Sequence, residues 1–157
     1  MEIKDIMRHP PVTVDTETTM DEVARLMVTK NVGCVLITNS KGDAQGVLTV
    51  RDFVPHEPHN PFKPDLAHRV FGRSILKHGL EALYREARIL KAGKMMRPLA
   101  ITLAEDDPVE RGIDLMLRHD VTHIPVLRGH KPLGFVSRHD LLKVVLAVAR
   151  PQEALAT

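Results

Sequence analysis

A hydroxyl and a carboxylate three residues apart recur twice in this chain: Thr49 with Asp52 in GVLTVRDF, and Ser137 with Asp140 in GFVSRHDL. A glycine and a short apolar run precede each hydroxyl, so each pair falls where a strand ends and the next element begins. A carboxylate placed there can accept hydrogen bonds from both hydroxyls of a vicinal diol, and charge-assisted bonds of this kind are the strong ones. The hydroxyl can reach a phosphate or sugar oxygen, and the first turn of a following helix adds free amide donors and a positive dipole end. The same aspartate can instead cap that helix. Neither pair has a base beside a nucleophile. No Walker loop, GxGxxG, HExxH or nucleophile elbow occurs.

The two motifs belong to a longer echo. Met7-Arg8 matches Met96-Arg97, Val12-Thr13-Val14 matches Ile101-Thr102-Leu103, and Leu26-Met27 matches Leu115-Met116, all at an offset of 89. The offset becomes 88 at Gly46 and Gly134, so one residue is lost in the turn between. A fixed register with a single deletion at a turn marks an internal duplication.

Each repeat reads as strand, helix, strand, strand, helix. In the first, Pro11 to Val14 is a short strand, Thr18 offers a helix N-cap with Asp21 three residues on, and Met20, Val23, Ala24 and Met27 form one helical face. Asn31 stops that helix, Cys34 to Ile37 is a buried strand, Asn39 to Asp43 is turn chemistry, and Val47 to Val50 returns. In the second, Asp107 caps, Pro108 takes the first helical position and Glu110 completes a capping box. Val109, Gly112, Ile113 and Met116 make the face, His123 to Leu127 is the next strand, and Gly134 to Val136 returns. Leu141 to Ala149, apolar nearly all round apart from Lys143, is expected to be buried on more than one side, against the other repeat and a second chain.

At 157 residues and 43% apolar, the chain fits one compact domain or two small intimate halves. Aromatics make up only 3%, so the core is aliphatic. The single Cys34, inside CVLI, reads as a small buried hydrophobe and leaves no partner for an internal disulfide. The start MEIKDIM is not a signal peptide, and the longest apolar stretch is far short of a membrane span, so a soluble cytoplasmic protein with no membrane contact is expected. From Phe62 to Arg97 nine lysines and arginines face three acids, a net of +6 that leaves −4 for the rest of a chain totalling +2. Prolines at 55, 58, 61 and 64 suit an extended strap. Helical stretches then run from Asp65 to about His78 and from Leu80 to Leu90, with Phe71, Leu80, Leu83, Tyr84 and Leu90 among their buried contacts. His56 and His59 have ligand-like spacing, but Pro55 and Pro58 interrupt it and no cysteine supports it, so no metal site is assigned.

GVLTVRDF with GFVSRHDL, the HIPVL run from His123, the paired starts Asp5-Ile6-Met7 and Lys94-Met95-Met96, and the constant register together resemble a tandem pair of cystathionine-β-synthase (CBS) domains, a Bateman module. The resemblance implies an α/β fold of two pseudo-symmetric repeats, each β-α-β-β-α, packed as a compact module with a helical insertion between them. The boundaries are residues 1–54 for repeat one, 55–92 for the strap and basic insertion, 93–150 for repeat two and 151–157 for a tail. It also implies an adenosyl ligand in the cleft between repeats, twice by pseudo-symmetry, each cleft mixing both repeats. The first cleft takes Val47, Thr49 and Asp52 with Met96, Ile101, Val121, Thr122, His123 and His139. The second takes Phe135, Ser137 and Asp140 with Met7, Val12, Val32, Gly33, Cys34, Arg51 and Arg138. Arg51, Arg138 and His139 are the candidates for phosphate contact, and Thr122 and His123 are expected to make the Asp52 cleft gain more from added phosphates.

The functional expectation is a stand-alone regulatory protein, not an enzyme. It binds an adenine nucleotide or S-adenosylmethionine, has no covalent cofactor, signals occupancy to an unidentified protein partner, and forms a homodimer through its helices. Two other readings are open at this point. One is an adaptor or dimerisation module with vestigial clefts. The other is a nucleic-acid binder using the basic insertion, which is disfavoured because the insertion offers few aromatics for base stacking, Phe71 and Tyr84 among them.

Overall fold

The structure is a computed structural model that describes residues 1–53, 85 and 88–149. The insertion's strap and helices therefore lie outside the described residues, apart from its last turn. There Leu90, expected to be buried, is exposed.

The described elements run in order as α1 (Ile3–Ile6), β1 (Thr13–Asp15), α2 (Met20–Lys30), β2 (Cys34–Thr38), β3 (Ala44–Thr49) and a 3-10 turn (Val50–Phe53), then α3 (Ala92–Met95), β4 (Arg97–Pro98), α4 (Val109–His119), β5 (His123–Arg128), β6 (Lys131–Ser137), a 3-10 turn (Arg138–Leu141) and α5 (Leu142–Ala149). They fall into two compact units. One takes the described residues from Val12 to Pro98; the other takes Met1–Pro11 together with the described residues from Leu99 onward. The packing units are thus cut at different places from the repeats, because the lead-in of each repeat packs on the other repeat.

In the first unit β1 pairs parallel with β2, β2 antiparallel with β3, and β3 antiparallel with β4. The second unit repeats this with shorter edges. Leu103 bridges Val126 of β5 in parallel, β5 pairs antiparallel with β6, and Arg8 bridges Phe135 of β6. Arg97 faces Val47 just as Arg8 faces Phe135, so the repeat register survives in three dimensions. Each unit has its own aliphatic core. Met20, Val23, Met27, Val35, Ile37, Leu48, Ala92 and Met95 fill the first. Ile3, Ile6, Leu103, Val109, Met116, Ile124, Val126 and Val136 fill the second.

Helix starts differ by one residue from the sequence reading, because other groups take the expected caps. α2 is capped by Thr19 with Glu22, not by Thr18 with Asp21. Thr18 is occupied in the preceding turn, where its amide and hydroxyl donate to Asp15 Oδ1 at 2.9 and 3.2 Å. α4 begins at Val109 with Pro108 in extended conformation as its N-cap and no side-chain cap. The Val109 amide instead donates to the Met1 carbonyl at 3.2 Å, and Asp107 accepts from the Ala104 amide at 2.8 Å. Asn31 and Asp120, equivalent in the two repeats, both end their helices in the left-handed conformation. On α5, the partly buried Val144 packs on the second core, while Leu142, Val145, Leu146 and Val148 are exposed, so among the described residues the helix is covered on one side only.

Candidate functional site

Each motif turn is held by its own aspartate. In the first unit the Thr49 amide and hydroxyl donate to Asp52 Oδ2 at 2.7 and 3.2 Å. In the second, the Ser137 amide and hydroxyl donate to Asp140 Oδ2 at 2.9 and 2.6 Å, while Ser137 Oγ accepts from the Asp140 amide at 3.3 Å. This reciprocal box closes the 3-10 turn at the strand end. Capping is therefore one role of both carboxylates, and it uses one oxygen of each.

The other oxygen meets an arginine from the opposite repeat's lead-in. Asp140 Oδ1 accepts from Arg8 Nε at 3.1 Å, and Lys143 Nζ lies 3.5 Å away. Asp52 Oδ1 lies 2.9 Å from Arg97 Nε. That N–H is not aimed at the carboxylate and has no acceptor among the described residues, whereas Arg97 Nη2 donates to Thr49 Oγ1 at 2.9 Å. Asp52 and Asp140 are 5% and 1% exposed, while the side chains of Arg97 and Arg8 are 35% and 42% exposed. The arrangement is a buried carboxylate beneath a half-exposed guanidinium, built twice. Burial alone would raise the Asp140 carboxyl, but the Ser137 hydroxyl and amide and the Arg8 guanidinium outweigh it and hold it below its ordinary value.

The motif glycines owe their identity to the same exchange. A Cβ on Gly134 would collide with the Arg8 carbonyl oxygen, and one on Gly46 would sit 2.8 Å from the Arg97 carbonyl and 2.6 Å from Met96 Sδ. The lead-in backbone crosses each strand where only glycine leaves room.

The two units sort the expected site residues. Val47, Thr49, Asp52 and Met96 share one unit, and Phe135, Ser137, Asp140, Met7 and Arg138 share the other. Of the first set, Ile101, Val121, Thr122, His123 and His139 lie in the unit of Asp140; of the second set, Val12, Val32, Gly33, Cys34 and Arg51 lie in the unit of Asp52. Cys34 is the register partner of Thr49, and His123 is that of Ser137. Arg138, a phosphate candidate, is engaged locally: Nη2 lies 2.9 Å from Asp120 Oδ1, and Nε donates to the Val121 carbonyl at 3.2 Å. Arg8, Arg97 and Lys143 were not among the expected site residues. Arg8 and Arg97 were visible as matched positions in the repeat register, but spacing gave no hint that each reaches the other repeat's aspartate.

Burial pushes the Cys34 thiol up to about 12, so it is a protonated core group at neutral pH. Among the described residues no group of three or more His, Cys, Asp or Glu is placed to hold a metal ion. No helix there is long and apolar enough to cross a membrane.

His123 begins β5, with its ring 5.8 Å from that of Phe135 and Nδ1 2.9 Å from Thr122 Oγ1. Burial lowers its pKa; the Asp140 charge opposes this and Arg8 reinforces it. The ring thus takes up a proton more readily unfolded than folded, so stability rises with pH up to the unfolded value of about 6.5. His123→Gln is expected to flatten that rise. Urea midpoints of both proteins between about pH 5 and 7.5 test it; parallel pH profiles refute it.

The sequence model of the CBS domain matches residues 3–57 and 92–147. The chain is also similar to the CBS domain of a CBS domain containing membrane protein from Sphaerobacter thermophilus, with 34% identity, coverage of 91% of this chain and 86% of that one, and a TM-score of 0.68. The CBS domain protein PAE2072 from Pyrobaculum aerophilum, solved with AMP, is 21% identical over 95% of this chain and 98% of its own, with a TM-score of 0.67. The CBS domain pair of protein MJ0100, solved with 5-methylthioadenosine and S-adenosyl-L-methionine, is 19% identical over 94% and 98%, with a TM-score of 0.68. Among curated relatives the chain spans 94% of one but between 23% and 64% of four others, so the activities of those longer proteins stay with them.

Proposed function

The chain belongs to the CBS domain family, and from that membership we propose that it is a regulatory module that binds an adenosyl ligand, either an adenine nucleotide or S-adenosylmethionine, at its hydroxyl-x-x-Asp ends and reports occupancy to a partner. The observation that carries this reading is the twofold construction of one site. A 99%-buried Asp140 and a 95%-buried Asp52 are each set by their own turn and approached by a half-exposed arginine. A charged group kept this deeply under polar cover has a use beyond capping, because an exposed aspartate caps a turn equally well. The ligands named for the two similar structures, AMP and S-adenosyl-L-methionine, share the ribose diol that such a carboxylate can hold.

We read the module as non-catalytic. Its one thiol is buried and protonated, and each motif hydroxyl donates to the capping carboxylate of its own turn, beside which an arginine lies. A partly exposed apolar face on α5, formed by Leu142, Val145, Leu146 and Val148, favours self-association as a homodimer.

Differential scanning of the full chain with AMP, ADP, ATP, S-adenosylmethionine and NADH tests the ligand reading. Ligand at a hundred times its dissociation constant is expected to add about 2.7 kcal/mol. If none of the five shifts the melt, the adenosyl reading is wrong.

A further inference from the structure

Both carboxylates meet a ligand already partnered by a cation, and at the Asp140 end two cations approach the same oxygen. We propose that Arg8, with Lys143, and to a lesser degree Arg97, are the residues that choose among adenosyl ligands. They favour an anionic, phosphate-bearing adenosine over an uncharged adenosine or a sulfonium-bearing one, most strongly at the Asp140 end. This inference rests on the adenosyl reading above and specifies the ligand class.

At the Asp140 end, Oδ2 is spent on Ser137, and Oδ1 faces both Arg8 and Lys143. Lys143 Nζ is held in place by the Ile6 carbonyl, to which it donates at 2.7 Å. Two cations therefore share one carboxylate. The other basic group at that turn, Arg138, is balanced by Asp120 at 2.9 Å. At the Asp52 end Arg97 faces the carboxylate, with Nε 2.9 Å from Oδ1. A sulfonium ligand reaching Asp140 finds the carboxylate neutralised and an excess positive charge beside it. A phosphate finds the reverse.

The guanidinium groups also have donors to offer. Among the described residues Arg8 spends only Nε on an acceptor, so both of its Nη groups are unspent. Arg97 keeps a buried Nε–H without an acceptor. Two parallel N–H donors match two phosphate oxygens in a way that an ammonium cannot. The side chains of Arg8 and Lys143 are 42% and 50% exposed, above a carboxylate that is 1% exposed, so a ligand meets the two cations first and reaches the carboxylate only as Arg8 moves aside.

Calorimetric titration of the full chain with adenosine, AMP and S-adenosylmethionine reads this directly. The unaltered protein is expected to bind AMP more tightly than adenosine. In Arg8→Gln, AMP affinity should fall roughly ten- to hundredfold while adenosine stays within about threefold. Lys143→Gln should do the same more weakly, and Arg97→Gln should act at the Asp52 site. Arg8→Lys, which keeps the charge and loses the fork, should recover part of the AMP affinity. If Arg8→Gln does not fold, salt gives the same reading on the unaltered protein: AMP binding should weaken as salt is raised and adenosine binding should not. An AMP to adenosine ratio unmoved by Arg8→Gln, or by salt, overturns the proposal, as does S-adenosylmethionine outcompeting AMP. In either of those cases adenosyl binding itself stands, whereas failure of all three compounds to bind removes the functional reading and this inference together.

Discussion

Gly134→Ala is expected to unseat the first eleven residues from the second unit. The new methyl group would occupy the position of the Arg8 carbonyl oxygen, with Arg8 C at 3.3 Å and Met7 Sδ at 3.4 Å behind it. Backbone cannot swing aside as a side chain can, so the lead-in must lift. Lifting it breaks the reciprocal Arg8–Phe135 amide bonds, at 2.9 and 3.1 Å, and draws the buried Ile3 and Ile6 out of the core. Overpacking of this kind costs ~2–4 kcal/mol, or roughly 5–15 °C in melting temperature for a chain of this length. Gly46→Ala should cost less, because one of the atoms it meets is the flexible Met96 thioether. Urea denaturation gives the costs, and limited proteolysis near Arg8 reports the lifting. A Gly134→Ala protein as stable as the parent, with its first residues still protected, would show that the close crossing is not a constraint.

Asp140→Ala carries the second large effect, in both stability and binding. It strands the buried Ser137 amide and removes the partner of Arg8, a loss of ~2–3 kcal/mol. Asp140→Asn retains an oxygen for the Ser137 amide but turns an NH2 towards Arg8, giving up the charge and that acceptor while keeping the cap: stability should fall by about 1 kcal/mol, while nucleotide affinity drops roughly ten- to hundredfold. The carboxyl is held below its ordinary value in the folded protein. Its contribution is therefore complete above the unfolded value near 3.9 and is lost as pH falls through the lower folded value. The asparagine variant should accordingly show a shallower acid limb below about pH 4. Chemical denaturation across pH and calorimetry check both halves. Unchanged nucleotide affinity in Asp140→Asn would leave the carboxylate as a cap and nothing more.

The repeat structure was legible because hydrophobic spacing and matched motifs are local properties. β2, β5 and both returning strands lie where their apolar runs placed them. Asn31 ends α2 as its residue type suggested, since asparagine tolerates a positive φ. The start of α2 was misjudged by one residue because Asp15, in the turn before it, takes Thr18, and that of α4 because its partner is distant in sequence. No pattern around Asp107 reveals that the Met1 carbonyl will take the Val109 amide. The motif aspartates were readable, but the cations that face them were not. Arg8 and Asp140 are 132 residues apart, and only the fold brings them together. The glycines show the same limit: Gly46 and Gly134 stood out as repeated, yet the reason for the repetition is a backbone that crosses from the other end of the chain.

The exchange of lead-ins also fixes an order of assembly. The first unit closes within a continuous stretch, its Arg97–Thr49 bond spanning 48 residues. The second cannot close until the chain's beginning meets a strand made near its end. On the ribosome, Ile3 and Ile6 thus wait without a core until β6 has emerged, long after the first unit has the residues it needs. The longer closure alone costs only ~0.9 kcal/mol more, so the asymmetry is one of timing rather than of final stability. The amides of the first eleven residues should be the last to gain protection in pulsed hydrogen exchange during refolding, even though they end up against one of the most buried parts of the chain.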